Sequence, residues 1–148
     1  MVVTAVLSPT EQQLFRRFSP SDQWHSYRVA ALLQAAGQTH SDLLAAALLH
    51  DIGKTRIPIS VIDRSLIVLA QWLFPQRIAQ WGAGEPVGWK RPFVVKMQHP
   101  EWGAQMVTEA GSRQLAVSLI RRHQDKLIEV NNEEDCLLQL LQWADDQN

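Results

Sequence analysis

Apolar positions recur along this chain at three- and four-residue spacings, and no period-two alternation is sustained, so the pattern predicts helices and no sheet. Ser8-Pro9-Thr10-Glu11 reads as a capping box with proline at the first helical position, opening a short helix to about residue 18. A second helix begins near residue 20 or 21 and runs to residue 36, with Gly37 as its stop. On it His25, Val29 and Leu32 stand at i, i+4 and i+7, which turns His25 toward the core. A third helix covers 42–51 behind a Ser41 cap; Leu43, Ala47 and His50 share its inner face and Gly53 ends it. Further helices are predicted over 60–74, 75–81, 92–98, 100–110, 112–124 and 133–146, the last behind a capping box of Asn131 and Glu134. Gly111 and Asn131-Asn132 read as turns, and the stretch from Gly82 to Lys90 as a surface loop. The apolar run from Ser65 to Phe74 falls short of the roughly 20 residues of a membrane span and reads as a buried helix.

No repeat, low-complexity tract or linker divides the 148 residues, so one domain is expected, all-α and of roughly seven to nine helices. A net charge of -1 gives no electrostatic reason to expect nucleic acid. The single cysteine, Cys136, excludes an internal disulfide and fits a reducing compartment; its apolar helical surroundings predict a buried, inert thiol. The run from Met1 to Leu7 is too short and too uncharged for a signal peptide, and a cytoplasmic location is the expectation. Charge is unevenly placed. Between Ile52 and Gln98 seven bases (Lys54, Arg56, Arg64, Arg77, Lys90, Arg91 and Lys96) face only Asp63 and Glu85, a field that favours an anionic substrate if this segment covers the site. The apolar 65–74 run and the six tryptophans leave room for a homodimer interface; Trp81 and Trp89 flank the loop.

The densest chemistry lies in His50-Asp51-Ile52-Gly53-Lys54. Adjacent helical positions project about 100° apart, yet at a helix end both side chains can reach an ion beyond the last turn. Imidazole nitrogen with carboxylate oxygen suits iron, manganese, zinc or nickel, and the absence of cysteine ligands disfavours a structural zinc site. His25, His99, His123 and Asp145 are placed to complete a cluster; His40, just before the Ser41 cap, reads as a surface residue, and Asp146 as a solvated carboxylate.

These residues resemble the HD superfamily of metal-dependent phosphohydrolases, in the branch with HDIGK after the second helix. His25 in His25-Ser26-Tyr27-Arg28-Val29 matches the family's H-x-x-R-V. His50-Asp51 matches its doublet, and Asp145 after Ala144 its last aspartate. His99-Pro100-Glu101-Trp102-Gly103 is similar to the H-P-x-x-G of the cyclic-dinucleotide phosphodiesterases, with His123 as a further ligand. Arg122-His123-Gln124-Asp125 replaces that branch's paired histidines and glutamate, its G-Y-P signature is absent, and the Asp51–His99 gap is longer. A two-metal site like that of symmetrical dinucleoside tetraphosphate hydrolases fits the ligands better.

The resemblance, over roughly 22–146, implies a compact helical HD-type bundle with a core of about 21–146 and an insert of about 57–96. It implies one or two divalent transition metal ions, iron or manganese first, with zinc, nickel or magnesium as alternatives. Asp51 would be shared between ions, His25, His50 and Asp145 completing one site and His99 and His123 the other. Asp51 and Lys54 are then the catalytic residues, and Lys54 and Arg28 the phosphate contacts, with a small nucleotide-like anion as substrate. A di-iron oxygenase and a non-catalytic nucleotide- or partner-binding module are the competing readings.

Overall fold

The computed structural model describes residues 2–148; Met1, the first residue of the apolar amino-terminal run, lies outside them. Among these residues the chain forms nine α-helices joined by turns, with no strand. They are α1 (Val2–Val6), α2 (Pro9–Phe15), α3 (Pro20–Ala35), α4 (Ser41–Leu49), α5 (Val61–Leu73), α6 (Ile78–Gly82), α7 (Arg91–Glu109), α8 (Gln114–Arg122) and α9 (Glu133–Asp146). Short 3-10 turns occupy Ile52–Thr55, Pro75–Arg77 and Gly88–Lys90. Among the described residues no helix is long and apolar enough to cross a membrane.

α4 is the centre of the bundle. Residues 42 to 49 are all buried, as a helix apolar on every side must be. It packs against α3, α8 and α9, with α1 and α2 closing one end. The Ser8–Glu11 capping box forms as predicted, and Gly37, at φ 80°, terminates α3 with the Gln38 N–H on the Leu33 carbonyl. α4 corrects the Ser41 assignment. His40 is the cap, its Nδ1 accepting the Asp42 N–H at 3.2 Å, while the Ser41 hydroxyl accepts from Arg113 at 2.6 Å. Asn132, not Asn131, caps α9, accepting the Asp135 N–H at 2.9 Å.

Two further corrections bear on the site. The helices expected over 92–98 and 100–110 are one helix, α7, which runs through Pro100. Gly53 is not a left-handed helix stop, since among the described residues positive φ occurs only at Gly37, Gly88 and Gly111. It is required by crowding: a side chain there would collide with the His99 carbonyl and lie 2.7 Å from the Gly103 nitrogen. Gly103 faces it in turn, so the two glycines let the Ile52–Thr55 turn lie directly on α7.

The 65–74 run is not a buried helix. α5 buries only Ile67 and Ala70, one turn apart, against Phe93 and Ile78, whereas Val61, Ile62, Val68, Leu69, Trp72 and Phe74 are exposed. Cys136 is exposed as well, because α9 turns Leu137, Leu138 and Leu141 inward and Cys136 outward. Trp81 and Trp89 pack on each other and on Phe93, with ring centroids 5.1 to 6.1 Å apart.

Candidate metal centre

α4 ends at Leu49. His50 follows as its helical cap, and Asp51, at φ -94° and ψ 4°, turns the chain out of the helix. That change of direction brings both side chains to one point, which successive helical positions do not allow. α3 supplies His25 to the same point, α7 His99, the end of α8 His123, and α9 Asp145.

The Asp51 carboxylate lies in the middle, and its two oxygens face different partners. Oδ1 lies 3.3 Å from His99 Nε2 and 3.7 Å from His123 Nε2. Oδ2 lies 3.6 Å from His50 Nε2 and accepts from Lys54 Nζ at 2.6 Å. Asp145 Oδ1 completes the His50 side, 3.4 Å from His50 Nε2 and 3.0 Å from His25 Nε2. Two donor groups therefore share one carboxylate: His25, His50 and Asp51 on one side, Asp51, His99 and His123 on the other, each within 4.8 Å.

The imidazole tautomers can be assigned from their partners. Nδ1 of His50 meets the Ala47 carbonyl at 3.0 Å, that of His123 the Ile120 carbonyl at 2.7 Å, and that of His99 the Val95 and Lys96 carbonyls at 3.0 and 2.9 Å. A carbonyl only accepts, so each Nδ1 carries the proton and each Nε2 presents a lone pair. His99 Nε2 and His123 Nε2 stand 3.2 Å apart, and His50 Nε2 is fully buried without a hydrogen-bond partner. Converging lone pairs and carboxylates repel one another unless a cation lies between them. The donor set thus fits a divalent transition metal, with each imidazole oriented by a carbonyl behind it.

The electrostatics agree. Burial opposes charge on Asp51, but His50, Lys54 and His99 outweigh it and hold the carboxyl well below its ordinary range. Burial likewise opposes ionisation of Asp145, and the close approach of the His25 and His50 rings overrides it. His123 is pushed down to about 3, first by burial and then by His50, and is neutral as a ligand must be. For His50 the burial penalty is exceeded by Asp51 and Asp145, and its pKa rises: positive charge is favoured there.

All six residues expected as ligands converge. Lys54 joins them through Asp51. Arg28 does not; it is exposed on α3 with no ion pair among the described residues, and Asp146 faces solvent. Lys96, visible in the sequence only as one base among seven, lies half-buried beside the centre, one turn before His99. That i, i−3 spacing is the signal that placed it on the ligand's side of the helix.

The family model of the HD domain matches residues 24–146. The chain belongs to the HD domain family. The match covers every residue of the cluster, from His25 to Asp145, and with it the expected helical architecture is established. Neither the curated proteins nor the solved structures yield a match.

Proposed function

We propose that this HD protein is a metal-dependent phosphohydrolase that cleaves a phosphate ester or anhydride of a nucleotide-like anion. The observation that carries the reading is the division of Asp51, with one oxygen toward His99 and His123 and the other toward His50. His25, His50 and Asp145 are assigned to one ion, His99 and His123 to a second, and Asp51 to both. Divalent ions held there supply Lewis acidity, lowering the pKa of water and polarising a phosphoryl oxygen.

The chain's own groups do the rest. The carbonyls of Ala47, Val95, Lys96 and Ile120 hold the imidazoles in the ligand tautomer. Lys54, fixed on Asp51 and 37% accessible, offsets charge that develops on the phosphoryl oxygens. A cavity of about 640 Å³ opens onto His123 and Asp145, wide enough for a nucleotide-sized ligand.

Elemental mass spectrometry of anaerobically purified protein tests this beside Asp51→Ala. Near two equivalents of iron or manganese, turnover of a nucleotide phosphate, and loss of both in the variant are expected. Undiminished turnover in Asp51→Ala would falsify the assignment, and one equivalent would restrict His99 and His123 to substrate contacts.

A further inference from the structure

Most of the positive charge between Ile52 and Gln98 already has a partner or faces solvent, that of Arg64 on the cavity wall beside Lys54 included. Arg64 pairs with Asp22 at 3.4 Å and Arg91 with Asp63 at 3.0 Å. Arg56 lies over the Trp102 ring and Lys90 over Trp89, while Arg77 faces solvent. Lys54 already has Asp51. Lys96 remains.

Its ammonium has no hydrogen-bond or ion-pair partner among the described residues, although the side chain is half-buried. A partly buried cation with no partner is costly, and a bound anion there would offset that cost. Lys54 stands nearby as a like charge, and an anion between the two lysines would offset both. The position is also rigid, because the Lys96 carbonyl accepts His99 Nδ1–H at 2.9 Å, the bond that aims the ligand.

Two cavities flank the centre. The larger, about 640 Å³, reaches His123 and Asp145; the smaller, about 230 Å³, reaches Lys54 and His99. Lys96, Gln71 and Gln124 line both, so they form the wall the two share. Lys54 lines only the smaller of these two. A ligand served by Lys54 alone is held on one side, whereas one that also uses Lys96 carries negative charge across the wall.

We propose that Lys96, with the amides of Gln71 and Gln124, forms a second anion subsite that holds the non-reacting phosphate of a phosphoanhydride. The substrate is then a diphosphate- or triphosphate-bearing anion rather than a monoester. This rests on the hydrolase reading for what is cut, but not for what is bound. In the cleavage, water adds its oxygen to one phosphorus and the bridging P–O bond breaks. The bridge oxygen leaves with the electron pair on the second phosphate, beside Lys96, and the water's spare proton passes to solvent.

Calorimetric titration of methylenediphosphonate and of orthophosphate, in excess manganese, tests the subsite without turnover. The diphosphonate is expected to bind the unaltered protein about ten-fold more tightly than orthophosphate. Lys96→Gln should lose about that factor for the diphosphonate and little for orthophosphate, Lys96→Arg should retain most of it, and both should keep their metal. Equal losses for the two anions, no loss, or no initial preference overturns the subsite. If no phosphate compound is hydrolysed while the Lys96-dependent affinity persists, the hydrolase reading fails and the subsite stands. If anhydrides are hydrolysed while Lys96→Gln changes neither rate nor affinity, the subsite alone fails.

Discussion

Pro100 has no N–H to give to the carbonyl four residues before it, which is that of Lys96. In most helices this is only a loss. In α7 the freed carbonyl is taken by His99 Nδ1–H, so a backbone defect becomes the means of orienting a ligand. Pro100→Ala returns a competing N–H to Lys96 and leaves His99 only the Val95 carbonyl. The helix should persist, while affinity for the ion proposed at His99 and His123 falls about ten-fold, as read by metal titration. A variant that holds both ions as tightly as the unaltered protein would sink this account. Gly53 works by absence too: Gly53→Ala drives a methyl group into the α7 backbone and should cost about 3 kcal/mol in urea unfolding.

Among the elements, α4 and α5 have similar apolar content and opposite roles. α4 is enclosed by α3, α8 and α9, whereas α5 touches its surroundings along one stripe. Leu48, with no exposed surface, should cost about 3 kcal/mol when cut to alanine. Val68, 67% exposed, should cost no more than about 0.5 kcal/mol. Equal costs for the two variants in urea unfolding would contradict the placement of α5. α7 joins the two regions, with Phe93 in the small cluster with α5 and α6, and His99 at the centre. Gln142 of α9 donates to the carbonyls of His123 and Asp125 at 3.0 and 2.8 Å, fixing the loop that carries His123.

For the molecule as a whole, acid sensitivity arises partly in ion pairs remote from the His/Asp cluster. The Ser118 hydroxyl and Arg122 hold Glu134 below its ordinary 4.5, and Arg122 and the Asn131 N–H hold Asp135 below 3.8. The Ser60 backbone N–H and hydroxyl, then Arg91, do the same for Asp63. With lowered pKa values these groups bind fewer protons folded than unfolded. Their stabilisation is therefore complete above the ordinary values and is lost as pH falls through the lowered ones. His123, pushed from 6.5 down to about 3, makes urea midpoints fall gradually below pH 6.5 in the unaltered protein and in Arg122→Gln alike, and the further decline below about pH 4.5 should be less steep in Arg122→Gln. A profile identical in the two proteins would show that the α8–α9 pairs contribute nothing. The seven bases between Ile52 and Gln98 do not act as one field over the site, since pairing and ring contacts occupy most of them.

The sequence by itself determined the helical class and the six residues that meet at the centre. Helix formation follows local periodicity, and His50-Asp51 followed by Gly53 is a chemical pattern readable without distances. The exposure of α5 and Cys136, the continuity of α7 and the helix caps at His40 and Asn132 depend on neighbours distant in sequence or on competition for a hydrogen bond. Only the tertiary structure decided which oxygen of Asp51 faces which histidine, and that one lysine of the basic segment stands unpaired beside them. Composition counts charges, but their effect depends on which are already neutralised by a partner, and that is decided by packing.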